Sequence, residues 1–194
     1  MKKIIIIGNG LSAWSVANAF LNKNFHITII GKKKTIFGAQ QLSPNGFIGL
    51  KKLTENDDIG NIIHEIIQFQ INSNNKNETK NLKNFYFNEF DLKYYSVSRE
   101  MLINLLIKNI KNKIEIKEVN RSCVGIIQRN TEKIDVLLDN EALMSADVII
   151  GADGVNGVTR KHVCGTTNVI RKKVFRGISN DKNKLLLKQK TLEL

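Results

Sequence analysis

Cysteine is scarce in this sequence, and long apolar runs are missing. The 194 residues include two cysteines, Cys123 and Cys164, which lie far apart and form no CxxC pair. This spacing indicates neither a disulfide framework nor a zinc site. No window approaches the roughly 18 apolar residues of a membrane-spanning helix, and the apolar run in MKKIIIIG breaks at Gly8 without a signal-peptide cleavage site. We therefore expect a cytoplasmic protein without a transmembrane segment, and a peripheral contact with membranes stays open.

Acidic residues are also few, since 18 of them stand against 30 lysines and arginines, which gives a net charge of +12. Such an excess suggests nucleic acid or anionic lipid as a partner. The excess is mostly lysine, however, and it lacks the interleaved arginines and aromatic residues that stack on bases. We favour a biased composition with solvated charged faces and expect no specific nucleic-acid partner.

Signatures of nucleophilic or metal catalysis are missing as well. His26, His64 and His162 do not have the spacing of metal ligands, and Ser12 lies outside a GxSxG elbow. We therefore expect no catalytic side chain and no metal ligand, and we expect structural roles for these four residues.

The chain carries the hydrophobic pattern of an α/β fold. Four consecutive isoleucines predict a buried parallel strand at 3–8, and a helix at 11–22 and a strand at 26–31 complete a βαβ unit. Further along, the pattern predicts an amphipathic helix at 56–71 and an exposed loop at 72–81. A second helix is predicted at 99–111, and its inward-facing residues are Met101, Leu102, Leu105, Leu106 and Ile110. Strands are predicted at 113–119, 123–128, 134–139 and 147–151, and a glycine turn after the last of them opens a helix.

The first turn has the spacing of a dinucleotide-binding motif. Gly8, Gly10 and Ala13 fit GxGxxG/A, in which the first glycine allows a tight turn and the second lets the backbone approach a pyrophosphate. The small third residue lets the helix pack closely on the strand, and the helix N-terminus attracts the phosphates. A glycine-rich turn without a ligand is the alternative.

The acidic residue expected at the end of the second strand is absent. By register, the position that would bind the ribose hydroxyls is Gly31, and Lys32, Lys33 and Lys34 follow it. One interpretation is that these lysines meet a 2′-phosphate on the ribose. The other is that the ribose contact has been lost or is made through water.

Four segments extend this pattern: GNGLSAWSVANAF, GAQQLSPNGFIGLKKL at 38–53, VSREML at 97–102 and DVIIGADGVNGVTR at 147–160. In order and spacing they resemble FAD-dependent aromatic-ring monooxygenases, within them the branch of ubiquinone-biosynthesis and salicylate-hydroxylase-like enzymes. The resemblance implies a Rossmann-like FAD-binding domain at 1–166 that consists of a parallel sheet and a small antiparallel meander. Within this domain, strands at 74–98 would lean toward the substrate region. It also implies that 167–194 begins a mixed β substrate domain, and that the C-terminal part of the family fold is missing.

The resemblance also implies which residues hold the cofactor. Arg99 would pair with phosphate, although a surface arginine is the alternative, and Asp153 would support the cofactor, although it could instead be a helix cap. The loop 38–46 would lie near the flavin, with a capped helix start as the alternative. The cofactor-binding residues implied are Gly8, Gly10, Leu11, Ser12, Ala13, Gly31, Arg99, Val124, Asp153 and Gly154.

Three functional hypotheses follow. In the first, the chain is a flavin-dependent hydroxylase or part of one, with FAD as cofactor, NADH or NADPH and dioxygen as co-substrates, and a small aromatic substrate such as a ubiquinone precursor. Other ubiquinone-biosynthesis proteins would be further partners. In the second, it is a non-catalytic FAD- or nucleotide-binding remnant. In the third, it is a basic module that binds RNA or anionic surfaces.

Overall fold

The computed structural model describes residues 1–33, 38–54, 59, 62–66, 68–73, 76–81, 93–111, 113–129, 133–165 and 191–193. The described strands are β1 (Lys2–Ile7), β2 (Phe25–Ile30), β3 (Ala39–Leu42), β4 (Ile63–Ile66), β5 (Gln68–Ser73), β6 (Lys76–Asn81), β7 (Tyr94–Ser98), β8 (Ile116–Val119), β9 (Cys123–Gln128), β10 (Ile134–Leu138), β11 (Leu143–Ala146), β12 (Val148–Gly151) and β13 (Thr191–Glu193). The described helices are α1 (Leu11–Ala19), α2 (Pro44–Thr54), α3 (Arg99–Lys111) and α4 (Val158–Cys164).

The chain divides into two compact units. The first takes the described residues of Met1–Ile36 and Ile103–Val174, and the second takes those of Phe37–Leu102 and Phe175–Leu194. The division falls within α3, after Leu102. The domain boundary near residue 166 stays a prediction, because most residues beyond it lie outside the described part of the chain.

A parallel sheet with the strand order β12-β1-β2-β8 forms the centre of the first unit. Ile5 of β1 lies between Thr28 of β2 and Ile149 of β12. All four isoleucines of β1 are at most 3% exposed, because a parallel strand covered on both faces must be apolar on both. The predicted strands at 3–8, 26–31 and 147–151 and the βαβ unit are confirmed.

Helix α1 packs against β1 through side chains that are small or flat. Ala13, Trp14 and Ala17 have no exposed surface, so the helix approaches the sheet closely. The helix ends at Ala19, three residues before the predicted end at 22. The chain turns there because the N–H groups of Phe20 and Leu21 bond to carbonyls three residues back, which tightens the last turn.

Helix α3 is confirmed at its predicted bounds, and a buried asparagine joins its second half to α1. The Nδ2 atom of Asn18 donates to the carbonyl oxygens of Trp14 at 2.7 Å and Leu106 at 3.0 Å, and its Oδ1 accepts from Asn109 at 2.7 Å. Met101 was predicted to face inward and is 46% exposed, because the buried stripe runs through Leu102, Ile103, Leu106 and Ile110 instead.

A three-stranded antiparallel meander, β11-β10-β9, covers one face of the parallel sheet. Its Val136, Leu138 and Ala146 form a core with Ile5, Ile7 and Ile30 of the sheet. The predicted hairpin of β9 and β10 is confirmed, whereas β11 was not predicted. Its sequence, LMSA, is too short and too weakly alternating to indicate a strand by itself.

The described residues of the second unit form one antiparallel sheet and one mixed sheet. One has the order β3-β7-β4, and α2 packs on its β3 and β7 strands; the other has the order β13-β5-β6. Strand β7 confirms part of the strand sequence predicted at 74–98, while residues 82–92 and most of 167–194 lie outside the described residues.

Two predictions in the second unit are wrong. A helix was predicted at 56–71, but this range contains strand β4 and the first part of strand β5. Ile63 of β4 pairs with Val97 of β7. Isoleucine at helical spacing is compatible with both structures, and its β-branched side chain favours the strand where a partner strand is present. The predicted loop at 72–81 contains the end of β5 and all of β6, which pair from Gln68 with Asn81 to Ser73 with Lys76.

Candidate nucleotide-binding site

The turn between β1 and α1 is closed around Gly8. This glycine has φ +127°, a conformation that side chains disfavour, and an added Cβ would collide with the carbonyl oxygen of Ala152. Its N–H donates to the carbonyl of Ile30 at 2.7 Å, and the N–H of Ala152 donates to Ile7 at 2.7 Å. The carboxyl ends of β1, β2 and β12 therefore meet at Gly8.

Asn9 fastens this turn to its neighbours, a role that the sequence analysis missed. Its Nδ2 donates to the carbonyl of Gly31 at 3.2 Å, and its Oδ1 accepts from the indole N–H of Trp14 at 2.9 Å. One side chain therefore links the end of β2 to the first turn of α1. The available signal was an amide-bearing residue between two glycines at the start of a helix.

The next glycine, Gly10, lies in open space. It is the N-cap of α1 with φ −113° and ψ −170°, and no side chain caps the helix. No acidic residue lies in the first turn, and a Cβ at Gly10 would have no neighbour within 4 Å. Ala13 is fully buried and Ser12 is exposed, while Leu11 is half-buried. The free N–H groups of α1 therefore face an unobstructed space that suits an anion.

Gly31 has no room for a side chain. A Cβ there would lie 2.8 Å from the backbone nitrogen of Asn9 and 2.9 Å from the carbonyl carbon of Gly8. Its N–H donates to the carbonyl of Val119 at 3.0 Å. An acidic residue is therefore excluded from this position by the way the Asn9 turn packs on it.

The lysines after Gly31 have carboxylate partners within the protein. Lys32 Nζ lies 2.7 Å from Asp139, and Lys33 Nζ lies 3.3 Å from Glu118. The hydrogen bond from Lys32 holds the pKa of Asp139 below its ordinary value. Lys34 lies outside the described residues.

Asp153 acts on the start of α4. Its carboxylate accepts hydrogen bonds from the backbone N–H of Thr159, at 3.1 Å, and from the Thr159 hydroxyl. Gly157 must be glycine, because a Cβ there would collide with this carboxylate. Asp153 therefore bonds to the second residue of α4, while the N-cap position itself is Gly157. Gly154 has φ +86° and open space where a side chain would lie.

Cys123, the residue before Val124, lies within the electrostatic reach of Asp153. Burial raises the pKa of the Cys123 thiol, a hydrogen bond with the backbone of Gly125 opposes this, and the charge of Asp153 raises the pKa further. Val124 itself is 51% exposed. Within the first unit, the structure therefore brings together the turn at Gly8, the end of β2 at Gly31 and the residues Ala152 and Asp153, while a cofactor contact of Val124 stays a prediction.

Two predicted features belong to the second unit. Arg99 is exposed at the first position of α3, and its N–H donates to the carbonyl of Gly38 at 3.1 Å. In the loop 38–46, Ser43 Oγ accepts from the N–H of Gly46 at 3.2 Å, and Pro44 begins α2. This is the capped helix start that was the alternative for the loop. The proposed contact of Arg99 with phosphate stays a prediction.

The turn between β1 and α1 has the features that the diphosphate of a dinucleotide requires. Space exists at Gly10, the helix end is uncapped, and two acidic residues of this unit have partners: Asp153 bonds to Thr159 and Asp139 to Lys32. Where the described residues are concerned, no group of three or more His, Cys, Asp or Glu is placed to hold a metal ion. None of the helices in the described ranges has the length and apolar character needed to cross a membrane.

Solved structures share this fold. No family model matches the sequence, and no curated protein matches it. The chain superposes on CtdE in complex with FAD and a substrate (15% identity, TM-score 0.66), on FqzB (18%, 0.68) and on a mutant of 2-methyl-3-hydroxypyridine-5-carboxylic acid oxygenase (19%, 0.63).

These matches cover 86%, 86% and 81% of this chain but 41%, 39% and 40% of the solved chains, so the chain spans about two fifths of their length. At such identities the likeness shows the fold. The predicted α/β class, with its parallel sheet and small antiparallel sheets, is confirmed as the fold that these proteins share.

Proposed function

We propose that the carboxyl edge of the parallel sheet binds the ADP half of FAD, through Gly8–Ala13, Gly31 and Asp153–Gly154. One contrast carries this proposal: a side chain at Gly8 would collide with Ala152, whereas Gly10 faces open space. A closed first glycine fixes the turn, and an open second glycine admits a diphosphate to the N–H groups of α1. Fold likeness to a protein crystallised with FAD supports the choice of dinucleotide.

We further propose that the chain belongs to a monooxygenase that hydroxylates an aromatic ring with NADH or NADPH and dioxygen. Bound FAD would supply the electron transfer and the oxygen activation. The residues of this chain bind and orient it: α1 attracts the diphosphate, Asn9 fixes the turn, and Asp153 holds the start of α4 in place. Likeness to a hydroxypyridine-carboxylic acid oxygenase supports this reaction class. A ubiquinone precursor as substrate, ubiquinone-biosynthesis proteins as partners and a cytoplasmic location are finer proposals.

Titration of the purified chain with FAD tests the proposal. Absorbance between about 350 and 500 nm reports flavin that stays with the protein after desalting, and the fluorescence of the single tryptophan, Trp14, reports binding beside the turn. We expect retained flavin with a changed Trp14 signal. Addition of NADH or NADPH should then bleach the flavin, and an oxygen electrode should record consumption when an aromatic acid is present.

Each outcome separates the hypotheses. Flavin binding with oxygen consumption supports the monooxygenase. Flavin binding without bleaching or oxygen consumption supports a non-catalytic nucleotide-binding chain and overturns the reaction while keeping the site. A chain that retains no flavin and shows no change at Trp14 overturns both.

A further inference from the structure

The position that should carry a carboxylate for the ribose hydroxyls cannot carry one. Gly31 is packed against the backbone of Asn9 and Gly8, so no side chain fits there without a shift of the main chain. If a dinucleotide binds this turn, its ribose still lies beside the end of β2. The hydroxyl groups of that ribose lose hydrogen-bond partners in water and need new ones in the protein.

A carboxylate that follows β10 pairs with the residue next to Gly31. Asp139 follows β10, and its Oδ2 is 2.7 Å from Nζ of Lys32, the residue directly after Gly31. The N–H of Asp139 donates to the carbonyl of Ser122 at 2.9 Å, which fixes the backbone beside the connection from β8 to β9. Its side chain is 19% exposed, so the carboxylate is held at the surface and is not enclosed.

We propose that Asp139 accepts the hydrogen bonds of the adenosine ribose hydroxyls in place of the missing acidic residue at position 31. This inference rests on the proposed nucleotide site. An ionised carboxylate can accept from both hydroxyls of one ribose, and such charge-assisted bonds are the stronger kind. Lys32 acts as a positioning residue, since its Nζ lies 2.7 Å from Oδ2 of Asp139 and holds the carboxylate beside the residue that follows Gly31.

The same arrangement selects against a phosphate on the ribose. The charge of Lys32 is matched by Asp139, whereas Lys33 shares the carboxylate of Glu118 with Lys111. A 2′-phosphate placed beside Asp139 would meet a like charge, which is unfavourable at short range. The site therefore fits the unphosphorylated ribose of ADP and FAD, in contrast to the interpretation in which the lysines meet a 2′-phosphate.

Calorimetric titration of the full chain with ADP and with 2′-deoxy-ADP tests the inference. Wild-type protein should bind ADP on the order of tenfold more tightly, the effect of one hydrogen bond to a charged group. In Asp139→Ala the two affinities should become equal within about twofold, whereas Glu118→Gln, which alters a carboxylate paired with the neighbouring Lys33, should keep the tenfold preference. Asp139→Asn retains the shape of the side chain and should give a reduced preference, which guards against misfolding of the alanine variant.

The outcomes are distinct from those of the proposed function. A preference for ADP that disappears with Asp139 supports the inference. Tight binding of ADP with the same preference in wild type, Asp139→Ala and Asp139→Asn overturns the role of Asp139 and leaves the nucleotide site intact. A wild-type chain that binds neither ADP nor FAD overturns the nucleotide site and this inference with it.

Discussion

The side-chain oxygen of Asn9 accepts a hydrogen bond from the indole N–H of Trp14 at 2.9 Å, while the amide nitrogen of Asn9 donates to Gly31 at 3.2 Å. Trp14 has no exposed surface, so its N–H has no access to bulk water. The conformation of the turn and the packing of α1 on β1 are therefore fixed by the same side chain.

Asn9→Ala should lower the free energy of unfolding by about 1 to 3 kcal/mol, because it leaves a buried donor without a partner. Urea unfolding followed by Trp14 fluorescence measures the change, and the emission maximum should shift as the indole loses its bond. Asn24→Ala, at an exposed position before β2, is the matched control and should have little effect. Equal losses in the two variants would remove Asn9 from its structural role.

Gly10→Val should abolish FAD binding and leave the fold intact. The backbone at Gly10 is extended, with φ −113°, and a Cβ would meet no atom within 4 Å, so valine is tolerated there. Its branched side chain would occupy the space in which a diphosphate approaches α1. FAD affinity by calorimetry and the melting temperature measure the two effects.

The control for Gly10→Val is Gly49→Val, which also introduces a side chain into open space, within α2 of the second unit. It should retain flavin. Unchanged affinity in Gly10→Val would show that the turn does not hold the diphosphate.

Gly8→Ala should destabilise the protein more than Gly154→Ala does. Both glycines have positive φ, +127° and +86°, and a non-glycine residue in such a conformation costs about 1 to 3 kcal/mol. Only at Gly8 would the new Cβ collide with a neighbour, the carbonyl oxygen of Ala152. Denaturant unfolding by circular dichroism compares the pair, and similar losses would argue that the turn relaxes without cost.

Removal of the Asp153 charge should lower the pKa of Cys123. Burial is the main reason that this pKa is raised, and the nearby carboxylate adds to the effect because it disfavours a thiolate. In Asp153→Asn, alkylation of Cys123 near pH 8 should therefore be faster. The measurement needs a Cys164→Ser background, since Cys164 is exposed. A slower or unchanged rate would contradict the electrostatic link between β9 and Asp153.

Protonation of Asp135 should lower the stability of the protein in acid. It is 1% exposed, and hydrogen bonds from Ser145 and then Arg129 lower its pKa, although burial opposes them. A lowered native pKa means that the stabilisation is complete above the ordinary carboxyl value of about 3.9 and is lost as the pH falls below it. Thermal unfolding is measured from about pH 7 to about pH 3, a range that spans the ordinary carboxyl pKa. The melting temperature should fall more steeply with decreasing pH in wild type than in Asp135→Asn.

Ser145→Ala offers a second test of the same carboxylate. It removes the hydrogen bond that contributes most to the lowered pKa of Asp135, so the loss of stability in acid should become shallower. An unchanged acid profile in both variants would assign the pH dependence to other carboxylates.

Local chemistry explains why part of the fold was predictable. The isoleucine run of β1, the spacing of Gly8 and Gly10 and the polar break between β9 and β10 each act within a few residues. The apolar run indicates a strand that is buried on both faces, the glycines allow the positive φ of a turn, and the polar break reverses the chain in a hairpin. None of these three features needs a distant partner in the sequence. The isoleucines at 63–66 failed as a predictor because their structure is decided by β7, which lies about thirty residues further along the chain.

The sequence by itself therefore determined the βαβ unit, the dinucleotide-type turn and the absence of an acidic side chain at residue 31. Only the tertiary structure decided that Asn9 closes the space at Gly31, that Asp139 reaches Lys32 and that Asp153 bonds to Thr159 of α4. The physical reason is the strand order β12-β1-β2-β8, which places the carboxyl ends of distant segments side by side. Contacts made across such an edge depend on packing in three dimensions and leave no periodic trace in the chain.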